Sequence, residues 1–185
     1  MLSFMPRPAF VRTRILEAAF DRFAVEGYEA VSTRDIAAAA KVGAASMFKH
    51  FPTKEALGRE LYAIALAPLA ADTEHLLADQ PTPRVACAGF VRLLGRWYDT
   101  RPRALALLVF PPHAFTPREL DPANPETVRN RMQRAWACDE DIAAVVWGAC
   151  TGPFIDRYLR RRQGAMADQA AALAPAICRL LPEET

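Results

Sequence analysis

Apolar residues recur every three or four positions through most of the chain, and no stretch of useful length alternates in the manner of a strand. Ile15, Leu16, Ala19, Phe20 and Phe23 form one such stripe between about Ala9 and Glu26, which Gly27 is placed to end in a left-handed cap. Ser32 is a good N-cap, Asp35 three residues on makes an acidic capping box, and Val31 with Ile36 takes the staple positions, so a second helix begins here. Lys41-Val42-Gly43 breaks it. Gly43 can cap a third helix from about Ala44 to His50, which must stop because Phe51 precedes Pro52 and is pushed towards extended geometry. Ile36, Val42, Met47 and Phe51 are the inward residues expected to close a three-helix core.

Thr53 caps the next helix, whose stripe is Leu57, Leu61, Ile64 and Leu69. No Gly- or Ser-rich linker separates it from the rest of the chain, and Pro68 kinks it or ends it. Thr82-Pro83, a cap followed by proline at the first helical position, opens a helix through Val85, Phe90, Leu93, Leu94, Trp97 and Tyr98. A shorter apolar helix from about Pro102 to Phe110 precedes a proline-rich stretch, where Thr116 and Glu119 can cap a single turn. Asn124-Pro125 repeats the cap-plus-proline signal ahead of Val128, Met132, Ala135 and Trp136. From Ile142 to Phe154 the chain is apolar almost all round, which predicts burial on more than one side, before Arg157, Arg160, Arg161 and Arg162 favour the helix C-terminus and Gly164 ends it. A last helix, Met166 to Leu181, contains Pro175. The expectation is an all-α protein of about nine helices without internal repeats.

Composition narrows the class. With 185 residues, 52% of them hydrophobic, the chain can bury a sizeable core. The N-terminal residues lack the apolar core of a signal peptide and the run from Ile142 to Cys150 is too short to span a bilayer, so a cytoplasmic protein with no membrane partner is expected. Net charge is only +2, yet residues 1–60 hold nine Lys/Arg against seven Asp/Glu, while the remainder holds fourteen of each. The three lysines, Lys41, Lys49 and Lys54, all fall in that first third, which supports a local basic face. Cys87, Cys138, Cys150 and Cys178 have no metal-ligand spacing and read as reduced core residues, with a redox pair as the minority alternative.

Short helix, tight turn and short helix is the outline of a helix-turn-helix, whose second helix lies in a DNA major groove. Small residues at Ala44, Ala45 and Ser46 suit close approach to base pairs, and Lys49, His50 and Lys54 suit the flanking phosphates. The pattern alone is common in helical proteins. An enzyme is disfavoured: His50, His75 and His113 show no paired metal spacing, and no phosphate loop, nucleophile elbow or cofactor motif is present. A helical adaptor that offers the three-helix unit to a protein partner remains the other class.

Arg14-Ile-Leu-x-Ala-Ala-x-x-x-Phe23, Gly27-Tyr28, Ser32-Thr-x-x-Asp-Ile-Ala37, Val42 and Phe48-x-His50-Phe51-Pro-x-Lys54-Glu-x-Leu57 together resemble the DNA-binding domain of the tetracycline-repressor (TetR) family. The resemblance covers about a quarter of the chain. It implies a homodimeric transcriptional regulator, usually a repressor, with a helix-turn-helix domain over residues 1–52 and a helical ligand-binding and dimerisation domain over 53–185 whose last two long helices form the interface. Its partners would be a near-palindromic operator and a small, apolar or aromatic effector. By position, the resemblance implies phosphate contacts for Thr33, Arg34 and Lys54, and places Ala44, Ala45, Ser46, Phe48, Lys49 and His50 on the recognition helix. Phe48 stands where the family usually has Tyr, Gly43 where a Ser or Thr cap is frequent, Ala45 where Gly is common, and Lys41 where a small residue is usual. Under the same reading Phe90, Trp97, Tyr98, Phe110, His113, Phe115, Met132, Trp136 and Trp147 are candidates to line a ligand cavity, with ordinary core packing as the competing role for each.

Overall fold

The computed structural model describes residues 8–109, 127–158 and 165–182. Among these the chain forms nine helices and no strand: α1 (Pro8–Glu26), α2 (Thr33–Ala39), α3 (Ala44–His50), α4 (Lys54–Leu77), α5 (Pro83–Thr100), α6 (Pro102–Val109), α7 (Val128–Trp136), α8 (Glu140–Tyr158) and α9 (Met166–Cys178). The all-α expectation holds. Two compact units share the described residues, one through Ile64 and one from Ala65, so the packing boundary falls inside α4. The division expected between residues 52 and 53 lies at the start of that helix instead, upstream of the buried Leu57, Leu61 and Tyr62.

Local signals explain most helix ends. Gly27 adopts φ +86 and its N–H donates to the Phe23 carbonyl at 3.1 Å, the left-handed stop expected after α1. The Thr53 hydroxyl accepts from the Ala56 N–H (3.0 Å), and Asp139 Oδ1 accepts from the Ile142 N–H (2.8 Å) at the head of α8. Thr82 occupies the cap position of α5 with Pro83 following, but its hydroxyl makes no capping bond. The described part of α7 starts at Val128 and is capped by Thr127, whose Oγ1 accepts from the Asn130 N–H at 3.1 Å. The expected Asn124-Pro125 signal lies outside the described residues, as do Thr116, Glu119, Arg160, Arg161, Arg162 and Gly164. Pro68 does not end α4, which continues to Leu77.

The first unit closes around Ile15, Ala19, Phe23, Val31, Ile36, Met47, Phe51 and Leu57, all buried, while Val42 is only half-buried. Ile64, expected on the inward stripe of α4, is exposed, because the stripe drifts around a helix of 3.6 residues per turn.

In the second unit α5 is the central element, burying Ala86, Cys87, Phe90, Val91, Leu93, Leu94, Gly95 and Trp97; Val85 points outwards. Gly95 marks its close approach to α9: a Cβ there would meet the Ala170 Cβ at 2.6 Å, the Ala167 Cα at 3.1 Å and the Met166 carbonyl oxygen at 3.2 Å. One turn later Asp99 reaches across to cap α9, accepting from the backbone N–H groups of Met166 (2.9 Å) and Ala167 (2.8 Å). The local cap, Ala165, has no side chain able to do this. Trp97 Nε1 donates to Asp72 Oδ2 at 2.7 Å and ties the second half of α4 to α5.

Cys87, Cys150 and Cys178 come together in this core as free thiols. The thiol hydrogen bond to Cys150, reinforced by burial, holds Cys87 far above the usual thiol range, and burial pushes Cys178 up to about 11. Protonated, buried thiols are poor nucleophiles, in keeping with core residues.

The close α5–α9 contact gives a direct test. Gly95→Ala places a methyl against helix backbone that cannot rotate away, so it should destabilise by about 1–3 kcal/mol, read from urea unfolding with an unchanged m-value.

Candidate nucleic-acid interface

The geometry of α2 and α3 begins with their caps. The Asp35 N–H donates to Ser32 Oγ (3.2 Å), and the Ser32 N–H donates to Asp35 Oδ2 (2.9 Å), a complete capping box. The Ser32 hydroxyl and backbone bonds lower the Asp35 pKa from its ordinary value. A lowered carboxylate stabilises the fold above the ordinary aspartate range, and that contribution is lost as pH falls through the lowered value.

The turn after α2 is a Schellman motif. The Lys41 N–H donates to the Ala38 carbonyl (3.0 Å) and the Val42 N–H to the Ala37 carbonyl (2.9 Å), with Lys41 itself at φ +53. A non-glycine residue in this region carries a steric cost, here at the residue that sets the angle between the two helices. Arg14 braces the same turn by donating to the Lys41 carbonyl at 3.4 Å. Gly43 then caps α3 with extended backbone and no side-chain bond.

The packing of Met47 and Phe51 settles which side of α3 faces outwards. Ala44, Ala45 and Lys49 are exposed, Phe48 is 50% exposed, and Ser46 and His50 are half-buried. On α2 Arg34 is exposed and Thr33 half-buried. Lys54, at the head of α4, lies 4.3 Å over the Tyr28 ring and donates one N–H to the Glu29 carbonyl at 3.3 Å. An ammonium has three donors, so two are left for another acceptor. Tyr28 itself rests on Phe23, with ring centroids 5.0 Å apart. Neither the Tyr28 platform for Lys54 nor the Arg14 brace was among the expected site residues; only the aromatic at position 28 and the cation at position 54 were legible, without their pairing. Arg12 adds a further link, pairing with Glu60 while lying 5.0 Å over the Phe51 ring.

The aromatic candidates divide. Phe90, Trp136 and Trp147 form a triangle, with centroid separations of 6.4 Å (Phe90–Trp136), 5.6 Å (Phe90–Trp147) and 6.5 Å (Trp136–Trp147). Met132 belongs to the same core. Trp136 Nε1 is buried with no hydrogen-bond partner among the described residues. Trp97 is committed to Asp72, while half-buried Tyr98 lies 6.2 Å from Phe154 with Arg157 5.8 Å from its ring. Phe110, His113 and Phe115 lie outside the described residues. Among the described residues no cluster of His, Cys, Asp or Glu suits a metal ion, and no helix is long and apolar enough to cross a membrane.

Fold and surface together define a helix-turn-helix protein, with small, cationic and aromatic groups on the outward side of its second short helix. Residues 15–61 match the family model described as bacterial regulatory proteins, tetR family. That match gives residues 15–61 the character of a TetR-family DNA-binding helix-turn-helix domain, and the chain as a whole is similar to TetR-family transcriptional regulators. No curated protein matches it. Among solved structures it is similar to the TetR-family regulator PfmR from Thermus thermophilus, with 26% identity, a TM-score of 0.66 and coverage of 94% of this chain and 98% of that one. The fold is shared with a tetR-family regulatory protein from Rhodococcus (20% identity, TM-score 0.73, 95% and 98% covered). It is also shared with the multidrug binding protein EbrR in complex with imidazole (23% identity, TM-score 0.65, 99% and 97% covered).

Two substitutions test the local geometry. Lys41→Gly should raise stability by up to about 1 kcal/mol by removing a left-handed lysine, and Ser32→Ala should lower it by about 1 kcal/mol through loss of the cap. Both are measured by denaturant unfolding at neutral pH.

Proposed function

We propose that this regulator is a homodimeric repressor that acts in the cytoplasm, binds a near-palindromic operator through α3 and is released by a small apolar or aromatic effector. The observation that carries the reading is the outward face of α3, flanked by the exposed cations Arg34 and Lys49 and by Lys54. Thr33, Arg34 and Lys54 serve the phosphates in this reading, while Ala44, Ala45, Ser46, Phe48, Lys49 and His50 face the groove. Residues 1–52 act as the DNA-binding domain and 53–185 as the ligand-binding and dimerisation domain.

Dimerisation is supported by α8 and α9. Within one chain α8 buries a single face, Ala143, Val146, Cys150 and Phe154, and leaves Ala144, Val145 (59% exposed) and Gly148 outside. Ala171, Ala172 and Ala176 of α9 and the following Leu180 (44% exposed) are also exposed. Small apolar residues at helical spacing allow a second pair of helices to pack closely, which would supply the second-sided burial that the α8 sequence calls for. A C2 dimer would then set two recognition helices in successive major grooves.

The effector belongs with the Phe90–Trp136–Trp147 triangle and Met132, where the Trp136 Nε1–H, buried with no partner among the described residues, offers a polar handle. EbrR, a multidrug binding protein of similar fold, is itself solved in complex with imidazole and with ethidium. Since α4 carries the chain from the first unit into the second, it is the covalent route for coupling, and about 1–3 kcal/mol between effector and operator is enough for a switch.

Selection of bound duplexes from a random pool by the purified protein tests the reading, with sedimentation giving the oligomeric state. A palindrome bound by a dimer is expected; a monomer, or a pool that never enriches, counts against it. Lys54→Ala should weaken binding to all sequences and reduce the slope of log K against log salt by about 1. An unchanged slope removes Lys54 from the phosphate contacts.

A further inference from the structure

The side chains that α3 turns outwards are unusual for a reader of base edges. Guanine is read by Arg or Lys, and apart from lysine the usual readers of base edges are an Arg fork for guanine, Asn or Gln for adenine and a carboxylate acceptor for cytosine. Lys49 excepted, none of these types occurs anywhere in Ala44–His50. Of its four exposed residues three are apolar, Ala44, Ala45 and Phe48, and Lys49 supplies the lone long polar arm. Ala44 and Phe48 are four residues apart, as are Ala45 and Lys49, so the four exposed side chains adjoin one another; Ala45 and Lys49 lie on the far side of the helix from Met47, and Phe48 lies on the flank between. Half of the Phe48 surface is open to solvent although buried Met47 and Phe51 lie beside it in sequence, so the ring is not drawn into the core. The one apolar group that the major groove displays is the C5 methyl of thymine.

We infer that Phe48, with Ala44 and Ala45 beside it, is a specificity-determining residue that reads thymine methyl groups, so that each operator half-site presents thymines to the apolar patch of α3. The inference rests on the DNA-binding reading above. It assigns Phe48 a base-reading role rather than a phosphate contact, which a ring without a hydroxyl cannot make by hydrogen bonding. Lys49 would add guanine O6 or N7 as the polar element of the same half-site.

The test uses the full-length protein and the duplex it selects. Each thymine in turn is replaced by deoxyuridine, which keeps every hydrogen-bonding edge and removes one methyl. At the thymines facing α3 affinity should fall roughly fourfold per methyl, the worth of one buried methyl or methylene group, and elsewhere it should not change. With Phe48→Ala the thymine duplex should bind more weakly and the thymine-to-uracil difference should vanish at the position Phe48 faces; Phe48→Tyr should keep that difference. Equal affinity for thymine and uracil duplexes at every position, or a selected half-site without thymine, overturns methyl reading while leaving DNA binding intact. If no duplex is enriched and no salt-dependent binding is seen, the DNA-binding reading fails first and this inference with it. The uracil series needs only the unaltered protein, so the outcome does not depend on whether a variant folds.

Discussion

The presentation of α3 depends on the burial of Met47. A seven-residue helix has no stability of its own in water, because the nucleation cost is not recovered over so few hydrogen bonds. It exists here because Met47 and Phe51 are drawn into the core formed by Ile15, Ala19, Phe23 and Ile36. That one anchoring direction turns Ala45 and Lys49 to the far side of the helix and leaves Phe48 on its flank, half open to solvent, with Ala44 exposed at the helix start. The chemistry of the surface is therefore a by-product of core packing. A truncation at Met47 would cost about 2–5 kcal/mol and remove the orientation of α3 with it.

The turn between the short helices works on the same principle at smaller scale. Its two backbone hydrogen bonds, its left-handed Lys41 and the Arg14 brace hold the angle at which α3 leaves α2. A strained residue at such a point persists only where the surroundings over-determine it, and here the buried residues on both sides do so. Lys54 is treated alike: the Tyr28 ring and the Glu29 carbonyl restrict a side chain that would otherwise carry nearly the full rotamer entropy of a surface lysine. Restriction of this kind lowers the entropy still to be lost when the ammonium meets a further acceptor.

The second unit solves a different problem, that of joining long apolar helices. Close approach at Gly95 and the Asp99 cap fix α9 against α5 at two neighbouring points, one steric and one polar. With that pair fixed, the thiols of Cys87, Cys150 and Cys178 share one apolar interior. The aromatic triangle lies in the same core, and α8 keeps a second apolar face that the chain itself leaves uncovered.

What the amino-acid order determined by itself is whatever acts within a few residues. The Ser32–Asp35 box, the Gly27 stop, the Thr53 cap, the halt at Phe51-Pro52 and the helical class all follow from neighbours three or four positions apart, and each stands in the structure where the pattern put it. The recognition motif was legible for the same reason, since its core and surface positions are set by helical spacing. What only the tertiary structure decided is pairing at a distance: the Asp99 cap on a helix beginning 67 residues later, Lys54 on Tyr28, Trp97 on Asp72, and the meeting of Phe90, Trp136 and Trp147 from three helices. Periodicity says which side of a helix is apolar but not which other helix will cover it, and so it placed Val85 and Ile64 inside when they are exposed. The sequence therefore named the second short helix of the helix-turn-helix, and the packing of Met47 beneath it decided that Phe48 stands in the open.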